Sequence, residues 1–283
     1  YTSYQLNYGP TSATNRGARL MGAYRWGFMT KGACAQGHNS ACVDDRGRAF
    51  VVYHSKFNDG TIGHSLRVHQ LFLNAEGWLV AAPFQYRGET VNQDSIATRE
   101  RWSNDDICGE YQLLTHRYKM DHANYAEAAP VAITLSADGK VKGDVTGTWS
   151  RTTGTDYISL RLGGTTYSGV LVEQCMEPSD IRALCFTALS STTGECVWGA
   201  KMQPRYALSY IMNNKTWDVS DGKSVSSHIS IMSDLPYGTT MQWQSSEPDI
   251  ISATGKYNPT DEAVPVDLTI TLTCPPYYWT TTY

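Results

Sequence analysis

Apolar residues in this chain hardly ever recur at the three-to-four-residue interval of a helix. Short alternating or β-branched runs lie instead between clusters of Gly, Asn, Asp and Ser from end to end. That pattern predicts an all-β chain with scarcely a helix. "RAFVVYHSKF", "SLRVHQLFL" and "WLVAAPFQY" read as three consecutive antiparallel strands, the last two joined by "NAEG", a turn with glycine at its end. From about Thr90 to Asp105 the composition turns polar, which predicts a linker before "ICGEYQLLTH" resumes a strand pattern. Six to eight short strands follow, with turn dipeptides at Asp138-Gly139 and Gly163-Gly164, and this spacing predicts a small barrel or sandwich. After Pro204 strand runs alternate with Ser, Gly and Pro turns in the manner of an immunoglobulin-like sandwich, short for that fold and expected to be truncated at its last strand. The expected division is therefore 1–90, 91–203 and 204–283.

Composition narrows the function. With 23 Lys plus Arg against 27 Asp plus Glu, a net charge of −4, no block of the chain is polycationic, and a nucleic-acid partner is not expected. No stretch reaches the roughly 18 to 20 apolar residues of a membrane-spanning helix. No charged-then-apolar leader opens the sequence, so the chain is expected to be soluble and already processed or cut. Seven cysteines form no CxxC pair, which argues against a zinc site. The 18 Tyr and 8 Trp outnumber the 6 Phe, so most aromatic rings keep a polar handle.

Chemistry-bearing motifs are sparse. Asp44 and Asp45, followed by Arg46-Gly47, read as a hairpin turn, and Glu89, Asp94 and Glu110 stand isolated in polar or boundary sequence. There is no GxSxG and no glycine-rich phosphate loop ahead of a helix. Histidines carry more information, because His38, His54, His64 and His69 fall within one β block. His54 and His69 lie inside strand runs, whereas His38 and His64 lie beside glycine where strands begin.

The linked set Gly37-His38-Asn39-Ser40, "YHSKF", "LRVHQLF" and "GWLVAAP", with "RLMGAYRWG" just upstream, resembles the last blade of glycoside hydrolase family 43, in particular its endo-1,5-α-L-arabinanases. "GEYQLLTH", "VTGTWSRT", "TTYSGVLVEQ" and "TALSSTTGECVWGAK" resemble the accessory β-barrel that follows the propeller in two-domain members, so the likeness covers about residues 15 to 203. The resemblance implies the C-terminal part of a five-bladed β-propeller, then a barrel, then an Ig-like module. It also implies an inverting reaction with an Asp base, a Glu acid and a second Asp that tunes the acid. Those carboxylates belong to earlier blades and are expected outside this chain.

One site residue carries over. His38 matches the histidine near the propeller axis that binds a central metal ion, with calcium the expected cation and sodium or no ion the alternatives. The ion would orient His38, whose implied role is to orient and polarise the site beside the acid pair, while His54, His64 and His69 are expected to be structural, His69 through hydrogen bonding within the blade. The implied partners are arabinan polysaccharide and an N-terminal propeller chain of the same enzyme, and the implied location is secreted or cell-surface, with the periplasm as the alternative. A different class of function is also open: a non-catalytic polysaccharide-binding module in which aromatic platforms such as Trp149 or Trp198 stack on sugars, although both lie in strand motifs that favour a core role.

Overall fold

The computed structural model describes residues 17–118, 127–177, 181–213, 217, 219–230, 235 and 239–283. It is all-β in the main, and it divides into two compact units, Tyr1–Lys201 and Met202–Tyr283.

In the first unit the strands β1 (Ala33–Val43), β2 (Ala49–Phe57), β3 (Ser65–Leu73) and β4 (Leu79–Ala81) pair antiparallel in simple succession. The connections follow their turn residues. Asp44 accepts from the Arg46 and Arg48 amides at 3.0 and 2.8 Å and ion-pairs with the Arg48 side chain at 2.6 Å, closing the β1–β2 hairpin. Asn74 does the same for β3–β4, accepting from the amides of Glu76 and Trp78. The polar stretch after this sheet is not featureless: it holds α1 (Gln93–Thr98), capped by Asn92, and α2 (Asn104–Ile107), closed by a capping box between Ser103 and Asp106. Asp156, nearly fully buried, holds the backbone amide and side chain of Arg101 between them and so pins the linker to the next sheet.

Eight strands then close on themselves: β5 (Gly109–His116), β6 (Val131–Leu135), β7 (Lys140–Gly143), β8 (Gly147–Arg151), β9 (Tyr157–Leu162), β10 (Thr165–Cys175), β11 (Arg182–Leu189) and β12 (Cys196–Lys201). Of the two architectures open to the sequence, the barrel is the one formed. Its alternating inward residues fill it: Tyr111, Leu113, Ile133, Trp149, Leu160 and Phe186 form one core cluster. Gly199 shows how tight that core is, because a Cβ there would sit 2.1 Å from the Phe186 ring.

Side chains tie sheet to barrel. Gln174 on β10 exchanges two hydrogen bonds with the backbone of Phe84, at 2.9 and 3.0 Å, and Asn74 donates to the Ser168 carbonyl at 2.9 Å. Arg67 on β3 ion-pairs with Glu177 at 2.5 Å. Trp198 on β12, fully buried, stacks on His69 and meets His116 and Tyr24 edge-on.

The second unit contains α3 (Pro204–Asn213) and a three-stranded antiparallel sheet, β13 (Thr240–Ser245), β14 (Leu268–Cys274) and β15 (Tyr277–Thr282), in that order. The helix corrects the near-helix-free reading of this region. Pro204 stands at its first position, where a missing N–H costs nothing, and Ala207, Leu208 and Ile211 turn one face into a core shared with Trp217, Trp243, Ile270 and Leu272.

Candidate functional site

β1 is an edge strand, and it is irregular where the sequence places its motif. Its register with β2 shifts between Cys34 and Gly37 and again between Gly37 and Ser40. Ala35 and His38 both adopt positive φ, 51° and 43°. Non-glycine residues pay of order 1 kcal/mol or more for that conformation. Bulges of this kind re-aim a side chain out of the regular pleat, and His38 is exposed at this bend. Beside it lies a cavity of about 540 Å³ lined by Arg19–Ala23, Cys34–Gly37, Asn39, Val51 and Tyr53. "RLMGA" and "GHNS", separated in sequence, therefore come together on one wall.

Three of the four histidines also come together. The His38 ring lies 5.1 Å from His54, and His54 lies 4.5 Å from His64, centroid to centroid. Partial desolvation, and then the neighbouring His64 and His38 rings, hold the His54 pKa below its usual value, so this ring favours the neutral form. That grouping was not expected of His54 and His64, and its sequence signal was only their proximity to His38. His69 is elsewhere: it is fully buried, and its Nδ1 lies 2.6 Å from the Ala82 carbonyl oxygen. Burial pushes its pKa down to about 3, and that of His116 likewise.

The carboxylates singled out in the sequence stay dispersed in structural roles. Asp44 sits in its hairpin, Asp94 in the first turn of α1, and Glu110 on β5, where burial raises its pKa. Glu89 is buried and accepts from the Arg87 amide at 2.8 Å. Trp149 and Trp198 are buried, 6% and 0% exposed, so neither is a surface platform for sugar.

A calcium ion does not fit what this chain alone offers at His38. A hard cation takes six to eight oxygen ligands, whereas the groups beside His38 are imidazoles, and among the described residues no three His, Cys, Asp or Glu side chains form a group able to hold a metal.

Residues 83–199 match the family 43 glycoside hydrolase C-terminal lipocalin-like domain, spanning α1, α2 and nearly the whole barrel. Residues 83–199 are thus a family 43 C-terminal domain. Its barrel interior is packed with side chains, so likeness to a lipocalin extends to the strand architecture and not to an internal ligand cavity among the described residues. The chain around the domain is 35% identical over 189 residues to an extracellular endo-α-(1→5)-L-arabinanase 2 of Bacillus subtilis, covering 65% of this chain and 38% of that protein. It is 37% identical over 204 residues to an extracellular endo-α-(1→5)-L-arabinanase of Thermotoga petrophila, covering 68% and 40%. Among solved structures, the family 43 YxiA protein of Bacillus licheniformis aligns with a TM-score of 0.58 at 33% identity, over 66% of this chain and 39% of that one. The Thermotoga petrophila arabinanase in complex with TRIS aligns with a TM-score of 0.58 at 37% identity, over 67% and 41%. The chain thus spans about two-fifths of the length of the relatives it matches.

Proposed function

We propose that this chain is the C-terminal part of an inverting glycoside hydrolase that cleaves α-1,5-linked L-arabinofuranosyl bonds in plant cell-wall arabinan. The sheet β1–β4 is read as the last blade of a five-bladed propeller, and the second unit as an Ig-like module. An N-terminal chain supplies the remaining blades with the Asp base, the Asp modulator and the Glu acid. In that assembly the base takes a proton from water as the water oxygen attacks the anomeric carbon, and the acid protonates the departing glycosidic oxygen. His38 acts as a positioning residue that orients the acid pair from the axis.

One observation carries this reading: the exposed, bulged edge strand β1, with His38 at its bend, belongs to a sheet that leaves large apolar side chains in water. Val43 on β1 and Leu66 on β3 are 68% and 71% exposed, and Ile62 in the loop between β2 and β3 is 87% exposed. An unpaired edge beside such residues is a liability that a neighbouring blade would remove. Extracellular relatives support secretion or surface display, with the periplasm as the alternative.

Intact mass of the purified material, native and then denaturing, tests the arrangement. A second polypeptide of roughly 25 to 40 kDa is expected, the size of the missing blades. Given that complex, His38→Ala should lower arabinan hydrolysis about 10- to 100-fold, the usual weight of a residue that orients a catalytic group, and shift the acid limb of its pH profile. An unchanged rate and profile would remove His38 from the site.

A further inference from the structure

The sheet of the second unit has one face buried and one face in water, and the water-facing side has an unusual composition. Strand register sets Gln242, Thr271 and Thr280 in one row across the three strands and Gln244, Thr269 and Thr282 in the next. Thr273 and Tyr278 extend the array at one end, Tyr278 being 74% exposed. The intervening residues Trp243, Ile270 and Leu272 point the other way into the core.

Neighbouring strands lie about 4.8 Å apart and alternate residues about 6.8 Å apart, so the rows form a grid of roughly 10 by 14 Å. No member of the grid carries a charge. The hydroxyls are held in place: Thr269 Oγ1 lies 2.9 Å from Thr282 Oγ1, and Thr271 Oγ1 lies 3.0 Å from Thr280 Oγ1. Threonine is stiff at χ1, so little rotamer freedom is left to lose on binding. Each hydroxyl engaged in one such bond keeps further hydrogen-bonding capacity, and each glutamine amide adds two donors and an acceptor.

A ligand complementary to this face must be uncharged, repetitive and rich in hydroxyls. A phosphate or a uronate would find no counter-charge and would meet the exposed Asp267 carboxylate, two residues before Thr269 on the same alternation. A basic peptide would find only that one carboxylate, at the rim of the grid. A neutral sugar chain finds matching donors and acceptors in the rows, and the Tyr278 ring offers an apolar face for the C–H side of a sugar. We propose that the Thr/Gln face of β13–β15 binds a neutral polysaccharide laid flat across the strands. The proposal goes beyond the hydrolase reading and stands without it.

Affinity electrophoresis of the full chain through native gels containing debranched arabinan, xylan or polygalacturonate tests it. The neutral glycans should retard the chain and polygalacturonate should not. Thr271→Val combined with Thr280→Val keeps the β-branched shape and removes two hydroxyls; retardation should weaken about tenfold, with the circular dichroism spectrum unchanged. Should that variant lose its fold, Gln242→Lys, a single change at an exposed position, should weaken retardation by the neutral glycans and introduce retardation by polygalacturonate. The proposal is overturned by absence of retardation on both neutral glycans, by equal retardation on polygalacturonate, by folded variants that migrate as the parent, or by sedimentation showing self-association that Thr280→Lys abolishes. Arabinan hydrolysis by the two-chain complex is read separately on the same proteins, so loss of hydrolysis with retained retardation rejects the hydrolase reading alone.

Discussion

The barrel and the sheet β1–β4 are built from strands of similar length and similar residue types, yet they differ in what they leave unfinished. Every barrel strand has two paired neighbours, and its inward residues are nearly all below 8% exposure. In the four-stranded sheet, among the described residues, β1 pairs along its length with β2 alone, Tyr24 meeting only Ala33 on its other side, and its residues from His38 to Val43 face water. Closure makes the barrel self-sufficient, whereas the sheet is complete only where it rests on the barrel. Stability should therefore be concentrated in the barrel and its contact with β3 and β4, and function on the face that is left open.

The sharpest way to break that contrast is at Trp198, which is fully buried and meets His69, His116 and Tyr24 at the junction of sheet and barrel. Trp198→Ala should cost about 3 to 5 kcal/mol, and denaturant unfolding should show the barrel and the sheet losing structure together. A loss confined to the sheet would mean that the barrel core does not depend on this contact. Gly199→Ala attacks the barrel from inside without removing any group. Its new methyl would meet the Phe186 ring, and about 1 to 3 kcal/mol of overpacking should appear as a lowered Tm.

Acid separates the two regions by a different route. His69 and His116 are both buried at the junction, with pKa values pushed down to about 3 by burial. An unfolded histidine titrates near 6.5. Between these values the unfolded chain binds more protons than the folded one, so stability is fully present above about pH 6.5 and falls as pH drops toward 3. Each ring contributes a slope of up to about 1.4 kcal/mol per pH unit in that window. Urea midpoints measured from pH 7 to pH 4 should fall steeply for the parent and less steeply for His116→Gln. Equal slopes would show that these rings are protonated without unfolding.

Much of this was legible in the sequence. The hairpin at Asp44, the "NAEG" turn and the strand runs of the barrel appear where turn chemistry and alternation put them, because those signals are local. Barrel rather than sandwich was not legible, since closure depends on β5 pairing with β12, a contact between residues some eighty positions apart. The three helices were missed for two reasons. Two are single turns or little more, created by Asn92 and Ser103 caps within polar sequence. The third carries its apolar stripe in "RYALSYI", too short to stand out beside strand runs. At the candidate site His38 was visible through its motif, but its approach to His54 and His64 arises from the bulges in β1, which no spacing rule reports.

The smallest expected effect on stability is also the one that most sharpens the comparison. Ile62 and Leu66 are 87% and 71% exposed, so replacing both by serine removes almost no buried surface from this chain. Exposed substitutions of this kind usually change stability by no more than about 0.5 kcal/mol, and the Tm of the isolated chain should stay where it is. If these residues face a neighbouring blade, burying each would be worth about 1.5 to 3 kcal/mol to the complex, and their loss should raise the dissociation constant of the two-chain assembly by at least an order of magnitude in analytical ultracentrifugation. A variant that leaves both the Tm and the association unchanged would place the blade contact elsewhere on the sheet. One that lowers the Tm of the isolated chain would show that the open face is already covered by the chain's own residues.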